Sequence, residues 1–390
     1  MLFQSSYSSV EELKEAGLNM QMETVIEEID TNHKKVFYRR NNSKKTKVTD
    51  YDKLILATGS YPAMTSVPFD KKSNLYFLKS MEDAIKAEEF LATAKNIAVI
   101  GGGMTGVEVA RITQDRGIQT TLIHRNKNLL NDYLDEPASR LLESWMNAEG
   151  TRLLLNTEVT EISVDGENTV VQTANGQKIA VDGVIFTIGF RPNSYLLNQQ
   201  VELGDRGAVV VDEYMQTSCP DVFAVGDVST TYVNLLEENR YLPHASDAVR
   251  DGEIAAINLL EARQKITSTQ GTYHVPMKNL VMAMTGITMK QAVDFGYDAD
   301  AVHLLNEHLE GRLPSNVWMI YERRTHQILG LQCIGKTSDM AEYVNIFSLA
   351  IQQQLRIEDI EFTDFYFEHG YKDPRGFNRI LARLVRENER

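Results

Sequence analysis

The stretch Val99-Ile100-Gly101-Gly102-Gly103-Met104-Thr105-Gly106 decides how this chain is read. Gly101, Gly103 and Gly106 stand in G-x-G-x-x-G spacing. The apolar run Asn96-Ile97-Ala98-Val99-Ile100 before them reads as a short buried strand, and the residues from Met104 onward read as a helix. In such a pattern the first glycine makes the tight turn and the second lets the backbone approach a pyrophosphate. The third permits close packing of helix on strand. A diphosphate would sit on the helix N-terminus. A glycine-rich turn that binds nothing could share this spacing. The flanking strand and helix, and a second strand at Thr121-Leu122-Ile123, favour the dinucleotide reading.

The end of that second strand selects among dinucleotides. NAD sites carry an acid there, which takes the ribose 2′-hydroxyl. This chain has Ile123-His124-Arg125-Asn126 instead. A guanidinium pairs with a 2′-phosphate that a carboxylate would repel. His124 and Arg125 therefore predict NADPH in preference to NADH. The alternative is that they simply begin a solvated loop.

Working outward, Val10 to Ala16 reads as a short helix closed by Gly17. Met20 to Ile29 and Lys34 to Arg40 read as a hairpin, and Lys53 to Gly59 as a buried strand ending in small residues. Helices are expected at Met81 to Thr93 and Glu136 to Ala148, with strands at Arg152 to Leu155, Val170 to Thr173 and Val184 to Thr187. This alternation predicts parallel α/β sheets. After about residue 270 the pattern changes to a hairpin, Asn316 to Tyr321 with Gln327 to Ile334. A helical stripe of Val344, Phe347, Ile351 and Leu355 follows, so the C-terminal part reads as α+β.

The 390 residues are 43% hydrophobic and 24% charged, an ordinary globular composition. With 40 Lys+Arg against 54 Asp+Glu the net charge is −14, which argues against nucleic-acid binding. The basic run Lys44-Lys45-Thr46-Lys47 reads as a solvated turn between strands. Two cysteines, Cys219 and Cys333, exclude a disulfide-stapled domain and a Cys-rich zinc site, and no metal is expected. No apolar run approaches the roughly 18 residues that cross a bilayer. No signal peptide is visible at Met1-Leu2-Phe3-Gln4-Ser5-Ser6, so no membrane partner is expected and the cytoplasm is the default compartment.

Four motifs in order carry a family resemblance. They are Leu54-Ile55-Leu56-Ala57-Thr58-Gly59, the glycine turn at 101–106, Thr187-Ile188-Gly189-Phe190-Arg191-Pro192-Asn193, and Thr217 to Asp227 ending Ala224-Val225-Gly226-Asp227. Their order resembles the FAD-dependent pyridine nucleotide-disulfide oxidoreductases. Asp364 to Tyr371 resembles the end of the NADH oxidase, NADH peroxidase and CoA-disulfide reductase branch. The resemblance implies two Rossmann-like domains, for FAD and NAD(P)H, and a C-terminal α+β dimerisation domain. It divides the chain into 1–75 and 199–268 for FAD, 76–198 for NAD(P)H and 269–390 for the homodimer interface.

The resemblance also implies roles. Ala57, Thr58 and Gly59 would close over FAD, and Ile26 would place its backbone beside the adenine. Asp227 would hydrogen-bond a ribityl hydroxyl, with Gly226 leaving room. The helix starting near His244 would aim its positive end at the flavin pyrimidine edge. Gly189 would lie along the nicotinamide dinucleotide. Glu108 would sit near the nicotinamide, or be only a favourable first-turn carboxylate. Met104 stands where the family usually gates that pocket with an aromatic. Tyr366 and Phe367 would reach the partner subunit's flavin, or be plain core.

The resemblance also exposes departures. The family's first strand–GxGxxG–helix for FAD and its redox cysteine have no counterpart here, so the FAD domain is expected to be N-terminally truncated. His369-Gly370 stands in place of a proline-containing turn. No catalytic residue is assigned. Loss of the central strand is expected to weaken FAD binding and to expose Leu54-Ile55-Leu56 and Val222-Phe223-Ala224. The implied reaction passes a hydride from NADPH to flavin and on to a small-molecule disulfide, peroxide or oxygen. The alternative is a non-catalytic remnant that binds nucleotide or a partner subunit.

Overall fold

The computed structural model describes residues 9–306, 315–335, 340–365 and 376–390. Its centre is a parallel sheet of five strands in the order Leu75–Phe77, Gly183–Phe186, Asn96–Ile100, Gln119–Ile123 and Arg152–Leu154. Ile97, Ala98 and Val99 are fully buried, as strands covered on both faces must be. One face carries the helices Met104–Asp115 and Glu136–Ala148, through Val107, Ala110, Leu142 and Met146. The other face meets Ile162, Val171 and Ile179 of a small antiparallel sheet, Val159–Asp165, Asn168–Thr173 and Lys178–Val181. The sequence reading of parallel sheets alone missed this one. The strand Asn168–Thr173 buries alternate residues, the mark of a sheet with one face in a core.

A second unit is built from segments on either side of the first. Its antiparallel sheet comprises Thr24–Asp30, Lys35–Arg40 and Lys47–Asp50. Leu54–Leu56 pairs in parallel with Val222–Ala224, and the helix Ala245–Asn258 packs on them through Ile254 and Ala255. The expected exposure of both strands is only partly met. Ile55 is 37% exposed, but Val222, Phe223 and Ala224 are buried. Leu196, Leu197, Val209, Met215 and Val228, from the irregular stretch before and after, cover them.

The C-terminal unit is an antiparallel sheet in the order Tyr273–Met277, Leu280–Gly286, Ile328–Gly335, Ser315–Glu322 and Ala299–Asn306. The helix Met340–Gln352 buries Val344, Phe347 and Ile351 against it, while Leu355 falls beyond the helix end. This α+β unit closes the mixed α/β architecture that the sequence implied. Met277, Met282 and Ile334 share one core with Val107 and Ala110, so the sheet backs the helix that follows the glycine turn. Asp135 fastens the contact by accepting from Met289 N–H at 3.1 Å and from Gln332 Nε2 at 2.7 Å.

Among the described residues no helix is long and apolar enough to cross a membrane. Among them too, no cluster of three His, Cys, Asp or Glu side chains could hold a metal.

Candidate functional site

The glycine turn sits where the strand Asn96–Ile100 hands over to the helix Met104–Asp115. Gly101 has φ +117°, and a Cβ there would lie 2.4 Å from Thr187 O. A Cβ on Gly106 would lie 1.8 Å from Gly101 O, so strand end and helix are in backbone contact. Thr187 holds that contact by donating its Oγ1–H toward Ile100 O and Gly101 O, at 3.1 and 3.0 Å. Gly103 is the helix N-cap, with no side-chain cap, and nothing lies within 4 Å of where its Cβ would be. The helix start at Gly103 is therefore uncapped by a side chain and uncrowded, which leaves room for an incoming diphosphate.

His124 has a different duty from the one its position suggested. Its Nδ1 accepts the Gly102 N–H at 3.0 Å, and its Nε2 lies 3.2 Å from Asn131 Oδ1. Both ring nitrogens are engaged, and burial pushes the imidazole pKa below its ordinary value. Arg125 is exposed and makes no ion pair among the described residues. Of the two residues read as phosphate-recognising, only Arg125 is free to do so.

Glu108 lies in the second turn of its helix, and no acid occupies the first turn. The first-turn alternative is thereby removed. Desolvation raises the Glu108 carboxyl above its ordinary value, opposed by Arg111. Met104 opens the helix and is half-buried.

A two-stranded ribbon joins the two nucleotide-type units. Ser60–Pro62 pairs antiparallel with Phe190–Pro192. Ala63 N–H donates to Gly189 O, and Asn193 N–H to Gly59 O, both at 2.9 Å. Thr58 Oγ1 donates to Asn193 O at 2.7 Å. Two motifs distant in sequence thus form one crossing, with Gly59 and Gly189 at φ +66° and +93°.

Beside the crossing, Gly226 has φ +70°, and a Cβ would lie 3.1 Å from Ala248 Cβ in the helix Ala245–Asn258. Gly226 N–H donates to Asp251 Oδ2 at 3.1 Å, while Asp251 Oδ1 is buried without a partner. Burial raises the Asp251 carboxyl to about 6. Asp227 Oδ2 accepts from Ser60 Oγ at 2.9 Å and from Lys79 Nζ at 2.5 Å. Its Oδ1 is left available. His244 is the N-cap of Ala245–Asn258 without capping it by its side chain, and its ring stands edge-on to Tyr273. Ala57 is exposed at the end of its strand. Ile26 pairs with Tyr38 next to a register shift in the first hairpin.

These residues would suit the ribityl and ring end of a flavin through an acceptor oxygen on Asp227, a helix start at His244 without a side-chain cap, and glycines where backbones crowd, although the buried Asp247 puts an acid in that helix's first turn. Among the described residues, the only GxGxxG turn between a parallel strand and a helix is that at Gly101–Gly106. Cys333 is buried in the C-terminal sheet, and burial pushes its thiol up to about 12. Cys219 is a half-buried free cysteine in the loop before Val222. Tyr366 and Phe367 lie outside the described residues. Gly102, Asn131, Thr187, Ser60 and Lys79 were not singled out as site residues by sequence. Gly102, as the middle of three glycines, and Thr187, at the head of the third motif, carried a visible signal.

The parallel sheet with its phosphate turn, tied by a ribbon to a second nucleotide-type unit, defines a dinucleotide-binding α/β protein. Residues 3–252 match the model of the pyridine nucleotide-disulphide oxidoreductase family, and residues 274–367 that of its dimerisation domain. The chain belongs to this family and is an oxidoreductase. It is 33% identical to an NADH oxidase of Enterococcus faecalis over 387 residues, covering 98% of this chain and 86% of that protein. The fold is similar to that of a water-forming NADH oxidase of Lactobacillus brevis bound to NADH. There the TM-score is 0.94 at 29% identity, over 98% of this chain and 85% of that one. An engineered water-forming NADPH oxidase made from that enzyme, bound to NADPH, superposes with the same TM-score of 0.94 and 29% identity, over 98% and 86%. Family membership supports FAD and a nicotinamide nucleotide as cofactors.

Proposed function

We propose that the chain is a flavin-dependent NAD(P)H oxidase or reductase that takes electrons from NADPH in preference to NADH and passes them to oxygen, peroxide or a small-molecule disulfide. The observation that carries this reading is that Thr187, which holds the glycine turn, runs directly into the ribbon strand Phe190–Pro192, whose partner strand Ser60–Pro62 holds Asp227. Bound FAD would accept a hydride at N5 and release electrons to the acceptor. The protein's own residues bind and orient. Gly101, Gly103 and Gly106 place the helix amides at the dinucleotide diphosphate, with Gly189 along it and Met104 and Glu108 toward the nicotinamide. Ile26, Ala57, Thr58, Gly59, Gly226 and Asp227 hold FAD. The helix N-terminus at His244 favours negative charge on the flavin pyrimidine edge.

The preference for NADPH rests on Arg125, an exposed cation with no ion pair among the described residues just past the end of the strand Gln119–Ile123, and on the lack of an acid at that point. Oxygen is favoured among acceptors by the NADH oxidase relatives. Two copies would pair through the C-terminal unit, where Tyr366 would reach the partner's flavin. The domain limits 1–75 with 199–268, 76–198 and 269–390 belong to the same proposal.

The test is anaerobic reduction of FAD by NADPH and by NADH in the purified protein, followed by admission of oxygen, peroxide or CoA disulfide. Flavin bleaching by NADPH and recovery with an acceptor is the expected result. Absence of nucleotide-dependent bleaching would overturn the reading.

A further inference from the structure

We propose that His124 is a positioning residue for the nicotinamide dinucleotide: as a neutral imidazole it holds the Gly102 amide, and protonation of the ring releases the phosphate turn. This rests on the reading that Gly101–Gly106 receives the diphosphate.

The tautomer follows from the partners. A backbone N–H can only donate, so Nδ1, at 3.0 Å from Gly102 N, carries a lone pair. The proton is then on Nε2, which faces Asn131 Oδ1 at 3.2 Å. Asn131 is itself oriented, because Asn126 Nδ2 donates to the same Oδ1 at 2.9 Å. The amide network and the imidazole therefore agree on one protonation state. A second proton on Nδ1 would set two N–H groups against each other in a buried contact. The ring cannot move away cheaply. A Cβ on Gly102 would lie 2.6 Å from both His124 Cγ and Leu129 Cδ2, so the ring is packed flush on the turn. Gly102 O accepts from Leu130 N–H at 2.9 Å, which ties the same loop to the turn a second time.

The charged side chains acting on the ring are Arg125 on its own loop, which opposes protonation, and Asp132, which favours it. The glycine turn meets the ring with Gly102 N–H, the Asn128 backbone also acts on the ring and favours protonation, and the strand Arg152–Leu154 takes only the His124 backbone N–H, through Leu154 O. Desolvation dominates and sets the ring's pKa below 6.5. The turn is thus in its binding shape at neutral pH and loses it as pH falls through that lowered value. If only the neutral form binds, affinity falls about tenfold per pH unit below it.

The test is calorimetric titration of NAD+ into the wild-type protein, H124N and H124L across this window. NAD+ is the probe because it survives acid and lacks a 2′-phosphate, which would titrate near pH 6 by itself. The expected result is that wild type weakens about tenfold per pH unit on the acid side. H124N, whose amide oxygen can accept the Gly102 N–H without titrating, should bind with a flat profile and outperform wild type in acid. H124L should bind weakly at every pH. The imidazole 15N spectrum should report the Nε2–H tautomer. An identical pH profile in wild type and H124N, or an Nδ1–H tautomer, would overturn the inference while leaving the turn's role intact. No NAD+ binding to any of these folded proteins would overturn both.

Discussion

The Lys79 ammonium lies 2.5 Å from Asp227 Oδ2, joining two residues 148 positions apart in the chain. Lys79 also stands 4.6 Å over the Phe190 ring, so one side chain ties the parallel sheet's unit, the ribbon and the second unit together. With Ser60 it occupies one oxygen of Asp227 and turns the other outward. If Asp227 is the FAD ligand proposed above, Lys79 is the side chain that orients it. D227A should weaken FAD by about 2 kcal/mol, the worth of a hydrogen bond to a charged group. K79M should cost about 1 kcal/mol, the upper range for a partly exposed ion pair. Flavin absorbance per chain during dialysis against graded FAD checks both. Equal retention by all three proteins would contradict this assignment.

Gly106 and Gly103 should respond differently to the same methyl group. G106A drives a Cβ into Gly101 O and should destabilise the fold by about 3 kcal/mol while abolishing nucleotide binding. G103A meets nothing and should leave the melting temperature almost unchanged. Its methyl would stand in the open space proposed for the diphosphate, so nucleotide affinity should fall. Thermal melts paired with NADPH titration separate the two.

If Arg125 selects the nucleotide, its charge reversal should invert the preference. R125D should weaken NADPH by about 2 kcal/mol, roughly thirtyfold, through loss of a charge-assisted bond to the 2′-phosphate, and should leave NADH ahead. The wild-type preference for NADPH should shrink as salt rises. Tighter binding of NADH than NADPH by the wild-type protein would refute this prediction.

The C-terminal unit should make the protein a homodimer. Light scattering should give twice the 44.1 kDa of one chain at micromolar concentration. An isologous interface is expected, so a single charge reversal within it acts twice. A mass of one chain would count against the dimer.

His326 should confer a pH-dependent stability on the same unit. It has φ +60°, and its Nδ1 and Nε2 lie 2.5 and 2.8 Å from Glu358 and Glu389 carboxylate oxygens. Although desolvation opposes protonation, the two carboxylates together raise the imidazole above its ordinary 6.5. A raised pKa means the clasp contributes fully below pH 6.5 and is lost as pH rises through the folded value. The difference in melting temperature between wild type and H326Q should therefore shrink across that window. A difference independent of pH would show that His326 acts only by shape.

Local spacing carried much of the fold. The spacing of Gly101, Gly103 and Gly106 between an apolar strand and a helix announces a glycine turn, and at Gly106 the steric reason is local, the carbonyl of Gly101. The strands on either side announce a buried parallel sheet because both faces of Ile97, Ala98 and Val99 must be apolar. The order of four short motifs then sufficed to name the family. What stayed illegible was any duty arising from two distant segments meeting. Nothing near His124 says that its ring would be claimed by Gly102, and that contact displaced the phosphate-recognising role its position suggested.

The chain's pattern of apolar runs and glycines, with the order of its motifs, was enough to establish the class of fold, the place of the glycine turn between strand and helix, and the family with its redox character. Those features depend on residues close in sequence, where sterics and periodicity leave few choices. Tertiary structure alone settled which side chains meet around the candidate site. Strand pairing brought Thr187 onto Gly101, the crossing brought Lys79 to Asp227, and the loop after Ile123 folded Asn131 back onto His124. The burial of Val222, Phe223 and Ala224 was likewise settled by Leu196, Leu197 and Val209 arriving from an irregular stretch with no periodicity to read. Hydrogen bonds and packing of this kind depend on which surfaces meet, and that is a property of the folded chain rather than of any window along it.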